Sequence, residues 1–349
     1  MGAAKPSTGR PLDIKRGRVD LSHGGGGRAM AQLIRELFAA AFANEYLAQG
    51  NDGALLPPPG GRLVLATDAH VVSPLFFPGG DIGCLAVHGT VNDVVVMGAK
   101  PLWLTASFIL EEGFPLADLA RIVASMAEAS RQAGVPVVAG DTKVVERNKG
   151  DGVFIATAGV GVMPGGLLLS GDRARPGDAM VLSGSIADHG MAILSCREHL
   201  SFDAPIVSDT AALHGLIAAM LDSGAALRCL RDPTRGGLAT TLNEIAAQSG
   251  VGMLLEEAAI PVKPAVAAAC EFLGLDPLYA ANEGKLVAIC ASEDAGRLLQ
   301  AMRCHPLGRD AAIIGAVRQD PRRFVQMKTR LGGMRMVDWL TGEQLPRIC

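Results

Sequence analysis

Aromatic residues are scarce, 4% of 349 positions, so the chain offers little surface for stacking bases or sugar rings. An excess of one charge is missing as well. The 32 Lys and Arg stand against 35 Asp and Glu, a net charge of -3, which excludes a nucleic acid or an anionic membrane held by bulk electrostatics. No run is apolar for long enough to span a bilayer. The longest uncharged stretch, GVFIATAGVGVMPGGLLL, is broken by glycines and a proline and reads as strand plus turn. The N-terminal segment lacks the apolar region of a secretion signal. Disulfide and zinc frameworks are excluded too, because the seven cysteines are odd in number, widely spaced and without a C-x-x-C pair. A reducing cytoplasm is the expected setting.

What is present is apolar and glycine-rich. Hydrophobic residues make up 49% and glycine fills 43 positions, which points to a globular chain whose tight loops approach a ligand. The length suits two domains. Apolar spacing predicts an amphipathic helix over 28–49 and another over 116–132, closed by Gly134. RLVLATDAHV, VPVVAGDTKVV and VFIATAGVGV read as strands of a first unit. In a second unit AMVLSGSI, GMLLEEA, KLVAICAS and AAIIGAV read as strands, with helices near 209–222, 237–248, 264–273 and 293–303. Strands and helices do not alternate strictly, so the expected class is α+β layers.

Five features could carry chemistry. HGGGG, with Gly24, Gly25, Gly26 and Gly27, is either a backbone cradle for an anion or a flexible linker, and it lacks the G-K-[ST] of a P-loop. Asp68, Asp93 and Asp141 fall at strand ends or in loops on this reading, where carboxylates serve either as turn residues or as magnesium ligands on a nucleotide. RDPTRGGL is either helix-capping chemistry or, through Arg231 and Arg235, a phosphate clamp. Lys143 and Glu283 read as solvated surface charges beside glycine-bearing loops. The chain finishes on a lone thiol, Cys349, which is either a frayed end or a group meant to reach.

Taken in order, HGGGG, ATDAHVVSPLFFPGGDIG, HGTVNDVVVMGAKP, GDTKVV, RDPTRGGL, NEGKLV and the terminal LPRIC resemble the hydrogenase expression/formation family HypE. The resemblance runs from about residue 20 to Cys349. HypE belongs to the PurM-like superfamily of aminoimidazole ribonucleotide synthetase, whose other members share the ATP-binding part without that ending. It implies a PurM-like two-domain ATP-binding fold with an extended, flexible C-terminal tail. The implied organisation is a disordered arm over 1–20, a glycine-rich loop and helix over 21–59, an ATP-binding and dimerisation domain over 60–168, a second PurM-like domain over 169–325, and a tail over 326–349 carrying Cys349.

The resemblance also implies a homodimer and a reaction. A carbamoyltransferase, HypF, loads a carboxamide onto Cys349. ATP then dehydrates it to a thiocyanate, and the cyano group passes to iron on a HypC–HypD complex, as a ligand for [NiFe]-hydrogenase. By motif, Asp68, Asp93 and Asp141 hold Mg2+ and ATP, Gly24 to Gly27 cover the phosphates, and Lys143 and Glu283 stand at the reacting carboxamide. Cys349 is expected to be an ordinary or sluggish thiol when free, because the adjacent α-carboxylate disfavours the thiolate. Two alternatives are a nucleotide-binding assembly scaffold without activity and another ATP-dependent member of the superfamily, such as selenophosphate synthetase. The latter's reactive residue precedes the first domain, whereas the first cysteine here is Cys84.

Overall fold

The computed structural model describes residues 11–200, 202, 204–342 and 347–349. The first half of the expected arm and residues 343–346 of the expected tail lie outside the described residues. Residues 11–20 correct the expectation of a free arm. The Val19 amide donates to Phe114 O (2.8 Å), that of Gly113 donates to Val19 O (2.7 Å), and Val19 is buried. Leu12 and Ile14 also pack against the core. These few apolar side chains outweigh the polar composition that suggested disorder.

The helix expected over 28–49 is shorter and broken: α1 (Arg28–Leu33), a π-helical turn (Ile34–Phe38) and α2 (Ala39–Ala41). Asn44 ends it. Its amide donates to Phe42 O and Val137 O (2.8 Å each), and its oxygen accepts from the Tyr46 and Leu47 amides. The chain continues through β1 (Arg62–His70), the short pair β2 (Phe76–Phe77) and β3 (Gly80–Asp81), α3 (Ile82–Val96), β4 (Lys100–Glu111), α4 (Leu116–Ala133), β5 (Val137–Val145) and β6 (Val153–Met163). The first sheet has the order β1-β6-β4-β5, with only β4 and β5 parallel.

One face of this sheet carries α3 and α4. On the other, Leu63, Leu65 and Ile109 are exposed. Ser107 and Ile109 of β4 pair with Asp141 and Lys143 of β5, so these two site candidates stand on the same open face.

The second unit holds β7 (Ala179–Leu182), α5 (Asp188–Arg197), α6 (His214–Asp222), β8 (Leu227–Arg231), α7 (Gly237–Ser249), β9 (Gly252–Glu256), α8 (Pro264–Leu273), β10 (Val287–Cys290), α9 (Ala295–Arg303), β11 (Ala312–Arg318), β12 (Val325–Lys328) and β13 (Met334–Met336). Its seven-stranded sheet runs β13-β12-β9-β11-β7-β10-β8. The four helices expected here all form, although α6 starts later than position 209.

The element that positions the site is α3, which residue patterning does not announce. Its glycines and β-branched valines are poor helix formers, and it is apolar on nearly every side, so it shows no amphipathic period. It forms because it is buried between the first sheet, α4 and α6. Asp81 caps it, accepting from the amides of Gly83 (2.7 Å) and Cys84 (3.1 Å). Gly83 lets α4 close in, since a Cβ there would stand 2.2 Å from Ile122 O.

Asn92, near the end of α3, ties the two units together. Its amide donates to Ala211 O (3.0 Å) and Glu283 O (3.2 Å), while its oxygen accepts from the Leu213 amide (2.8 Å). The largest apolar cluster crosses at the same place, from Leu85 and Val91 to Leu213 and Leu216. Removing a buried side chain that satisfies three backbone groups leaves all three without partners. Asn92→Ala is therefore expected to lower the unfolding free energy by roughly 2–4 kcal/mol in urea melts. A loss below about 0.5 kcal/mol would contradict this account of the interface.

Candidate active site

The end of the chain folds back onto the molecule. Residues 347–349 lie antiparallel to 71–73, with the Ser73 amide donating to Arg347 O (3.2 Å) and the Val71 amide to Cys349 O (2.9 Å). The Ile348 side chain joins the larger core at 4% exposure. This docking brings the Cys349 thiol close enough to Glu283 for the two groups to interact. Burial, and then the neighbouring Glu283, push the thiol above its ordinary range. These causes belong to the docked end and differ from the α-carboxylate effect expected for the free thiol.

Glu283 corrects the sequence reading most sharply. It is no solvated charge: only 4% of it is exposed, and Oε1 is buried without a protein partner. The NEGK loop that carries it is held by Asp209, which accepts from the amides of Glu283 and Gly284 (3.3 Å each) and from Lys285 Nζ (3.2 Å). Position 284 has to be glycine, because a Cβ there would stand 1.9 Å from Asp209 O. Burial first, then the charges of Asp232, Asp209, Asp68 and Asp93, drive the Glu283 carboxyl well above the usual carboxylate range. A lone buried carboxylate is far costlier than a buried carboxylic acid, so burial favours the protonated form of Glu283.

Asp68 and Asp93 stand close by, but neither is a loop residue as the sequence reading had it. Asp68 lies within β1 and Asp93 within α3. Asp68 Oδ2 is 3.2 Å from Nε2 of the buried His70. Burial raises the Asp68 carboxyl, yet His70 holds it below the ordinary value on balance. Gly89 on α3 makes room, since a Cβ there would meet His70 at 2.9 Å and Asp68 at 3.2 Å. Asp93 is pushed up to about 7 by burial and then by Asp232 and Asp68. Asp232 is raised to about 6, chiefly by burial. Arg231 and Arg235 oppose these shifts without cancelling them. The result is a carboxyl-rich pocket short of positive charge. A cavity of about 300 Å³ opens beside it, bounded by Ala69, Arg235, Gly236, Tyr279 and Cys349.

Asp141 and Lys143 are not brought to this cluster within the chain. They pair with each other across 2.8 Å, both exposed, on the open face of the first sheet. Among the described residues, no three histidine, cysteine, aspartate or glutamate side chains converge as ligands of one ion, so the expected triad of Asp68, Asp93 and Asp141 does not form in one chain. The glycine loop belongs to the Lys143 side. Gly24 presses on β5, where a Cβ would stand 2.9 Å from Val144, while Gly26 and Gly27 have open space around them. An apolar cavity of about 130 Å³ lined by Phe38, Phe42, Phe108 and Asp141 lies along the earlier part of β5. In RDPTRGGL the capping reading also fails, since α7 begins at Gly237 behind a left-handed Gly236 (φ 76) with no side-chain cap.

Sequence reasoning missed Asp209, the residue that fixes Glu283. Its partners lie 74–76 positions away, and no local pattern encodes such a contact.

The chain matches the family descriptions "AIR synthase related protein, N-terminal domain" over residues 50–163 and "AIR synthase related protein, C-terminal domain" over 175–328. It is 70% identical to carbamoyl dehydratase HypE of Cupriavidus necator, covering 100% of this chain and 99% of that one. The solved structure of hydrogenase maturation protein HypE in complex with ATP superposes with a TM-score of 0.91 at 50% identity, covering 94% of this chain and 99% of the other. A HypE–HypF complex structure matches with a TM-score of 0.78 at 52% identity, covering 88% and 99%. The chain belongs to the AIR synthase-related proteins and, among them, to the carbamoyl dehydratase HypE family.

Proposed function

We propose that this chain uses ATP to dehydrate a carboxamide carried on the sulfur of Cys349 to a thiocyanate, supplying cyanide for the iron of [NiFe]-hydrogenase. The observation that carries this reading is the terminal thiol seated beside the buried carboxyl of Glu283. An amide loses oxygen poorly, so the γ-phosphoryl group of ATP is transferred to that oxygen, which then leaves as phosphate while C≡N forms. Two protons must leave the nitrogen: Glu283, which stands beside Cys349, takes one as the base, and the departing phosphate carries the other.

Asp68 and Asp93 fit a magnesium ion that keeps its remaining positions for phosphate and water, and their charge excess is the feature that suits it. Bound there, magnesium supplies charge that neutralises the phosphates. The charges of Asp68 and Asp93 are among those that raise the Glu283 carboxyl, and a cation held by these two aspartates would offset them. The glycines at 24–27 cover the phosphates, and Lys143 and Asp141 serve the phosphoryl group.

Because those two residues stand on the open sheet face with Leu63, Leu65 and Ile109, our reading includes a homodimer closed across that face. Asp141 and Lys143 then contribute from one chain toward the pocket of the other. The loading partner is a HypF carbamoyltransferase, in line with the HypE–HypF complex of a relative. The acceptor is a HypC–HypD complex. The setting is the cytoplasm, where the seven cysteines stay as free thiols.

Glu283→Gln is expected to accept the carboxamide on Cys349 yet form thiocyanate at least about 100-fold more slowly in a single turnover. Product formation at the normal rate would remove Glu283 from its role. The pocket's charge gives a second expectation. Asp93 is raised from 3.8 to about 7, so the folded chain binds more protons than the unfolded one between those values, and stability falls as pH rises through that window. Asp93→Asn removes that slope. At pH 8 it should be more stable than the parent by roughly 1–3 kcal/mol, with little difference near pH 4. Magnesium should restore the parent at pH 8 and leave the variant unmoved. An unchanged slope in Asp93→Asn would rule out this assignment.

A further inference from the structure

The docked end is held by its main chain as well as by the buried Ile348 side chain and an Arg347–Asp151 ion pair. Arg347 O accepts from the Ser73 amide (3.2 Å) and from Arg197 Nη2 (2.9 Å). Ile348 O accepts from His189 Nε2 (2.7 Å), and Cys349 O from the Val71 amide (2.9 Å). Each of the last three carbonyls therefore has a donor, and two of these donors are side chains of α5. Arg197 also donates through Nε (3.0 Å) and Nη2 (2.7 Å) to Ser73 O, so it joins both sides of the short pairing. Arg347 itself sits at φ 54, a left-handed conformation disfavoured outside glycine, and the two donors on its carbonyl hold it there.

His189 is fully buried, with its ring edge-on to Phe77 at 5.5 Å between centroids. The proton's position follows from its neighbours. Ser208 Oγ accepts from the Thr210 amide (3.1 Å) and lies 2.7 Å from His189 Nδ1. The serine hydroxyl is thus free to donate to Nδ1, which places the ring proton on Nε2, aimed at Ile348 O. Asp209, between these two residues, holds the Glu283 loop. A single short segment therefore orients both the donor to the tail and the carboxyl that the tail must reach. The phosphoryl and proton transfers proposed above use neither His189 nor Arg197.

We propose that His189 and Arg197 are positioning residues that clasp the backbone of residues 347–349 and set the depth at which the Cys349 sulfur arrives beside Glu283. As to chemistry, the inference rests on Cys349 being the carrier; as to geometry, it stands on the hydrogen bonds alone. The clasp reads carbonyl spacing rather than side chains, so it fits a thiol at one fixed distance from the chain end. Its strength sets how often the thiol is presented outside, where a loading partner can reach it.

The test is the rate at which iodoacetamide labels Cys349 in the full-length protein without ATP or carboxamide, read by mass spectrometry of the terminal peptide. Buried Cys229 and Cys290 serve as internal standards for intact folding. Losing one donor should raise Cys349 labelling by about fivefold to tenfold in His189→Ala and at least as much in Arg197→Ala. His189→Gln, whose amide nitrogen can take the place of Nε2, should label nearly as slowly as the parent. If His189→Ala exposes Cys229 and Cys290, Arg197→Ala at the edge of the site decides the matter. Unchanged labelling in Arg197→Ala, or equal rates in folded His189→Ala and His189→Gln, would overturn the clasp. Because no turnover is involved, either result stands apart from the outcome of the dehydration assay.

Discussion

The structure is organised around one carboxyl removed from water. Glu283 is held at 4% exposure by contacts from both units: Asp209 on its amide, Asn92 on its carbonyl, and the Cys349 thiol at its carboxyl. Four further acids raise its proton affinity. A group in this state is a poor surface charge and a strong base once ionised. The interface between the units, the glycine at 284 and the return of the chain end all serve that one placement.

Keeping several acids together lowers stability at neutral pH, and such local conflict is characteristic of functional sites. Here the excess is partly balanced by Arg231 and Arg235 and is left incomplete. A charged ligand can bind to that remainder. The open sheet face is a second incompleteness, since it exposes Leu63 and Leu65 at one edge and Ile109 beside the paired Asp141 and Lys143 at the other. Both find their counterpart in the same proposal, a nucleotide with its metal held between two copies of the chain.

How much of this was legible in the sequence depends on the range of the contacts. Helix α4 was readable almost to the residue, because its apolar stripe and the left-handed Gly134 are local signals. Helices α7 and α8 were as readable, whereas α6 and α9 start later than their patterns suggested. Helix α3 was not readable, since burial on all sides erases the period on which the reading depends. The role of Cys349 was suggested by its terminal position and by family resemblance. Glu283 read as a surface charge because everything that buries it comes from distant segments, Asn92 and Asp209 among them. The separation of Lys143 from the acid cluster was hidden for a related reason. Strand pairing decides which face a side chain takes, and that pairing joins β4 to β5 across a whole helix.

The account's central claim is that the last sulfur of the chain is the site of chemistry. Mass spectrometry of the terminal peptide, after incubation with the loading partner, carbamoyl phosphate and magnesium ATP, tests this most directly. The account predicts that Cys349 gains one carboxamide and that the same peptide then loses one water. A carboxamide on any other residue, or a Cys349 adduct that keeps its water while ATP is consumed, would contradict it.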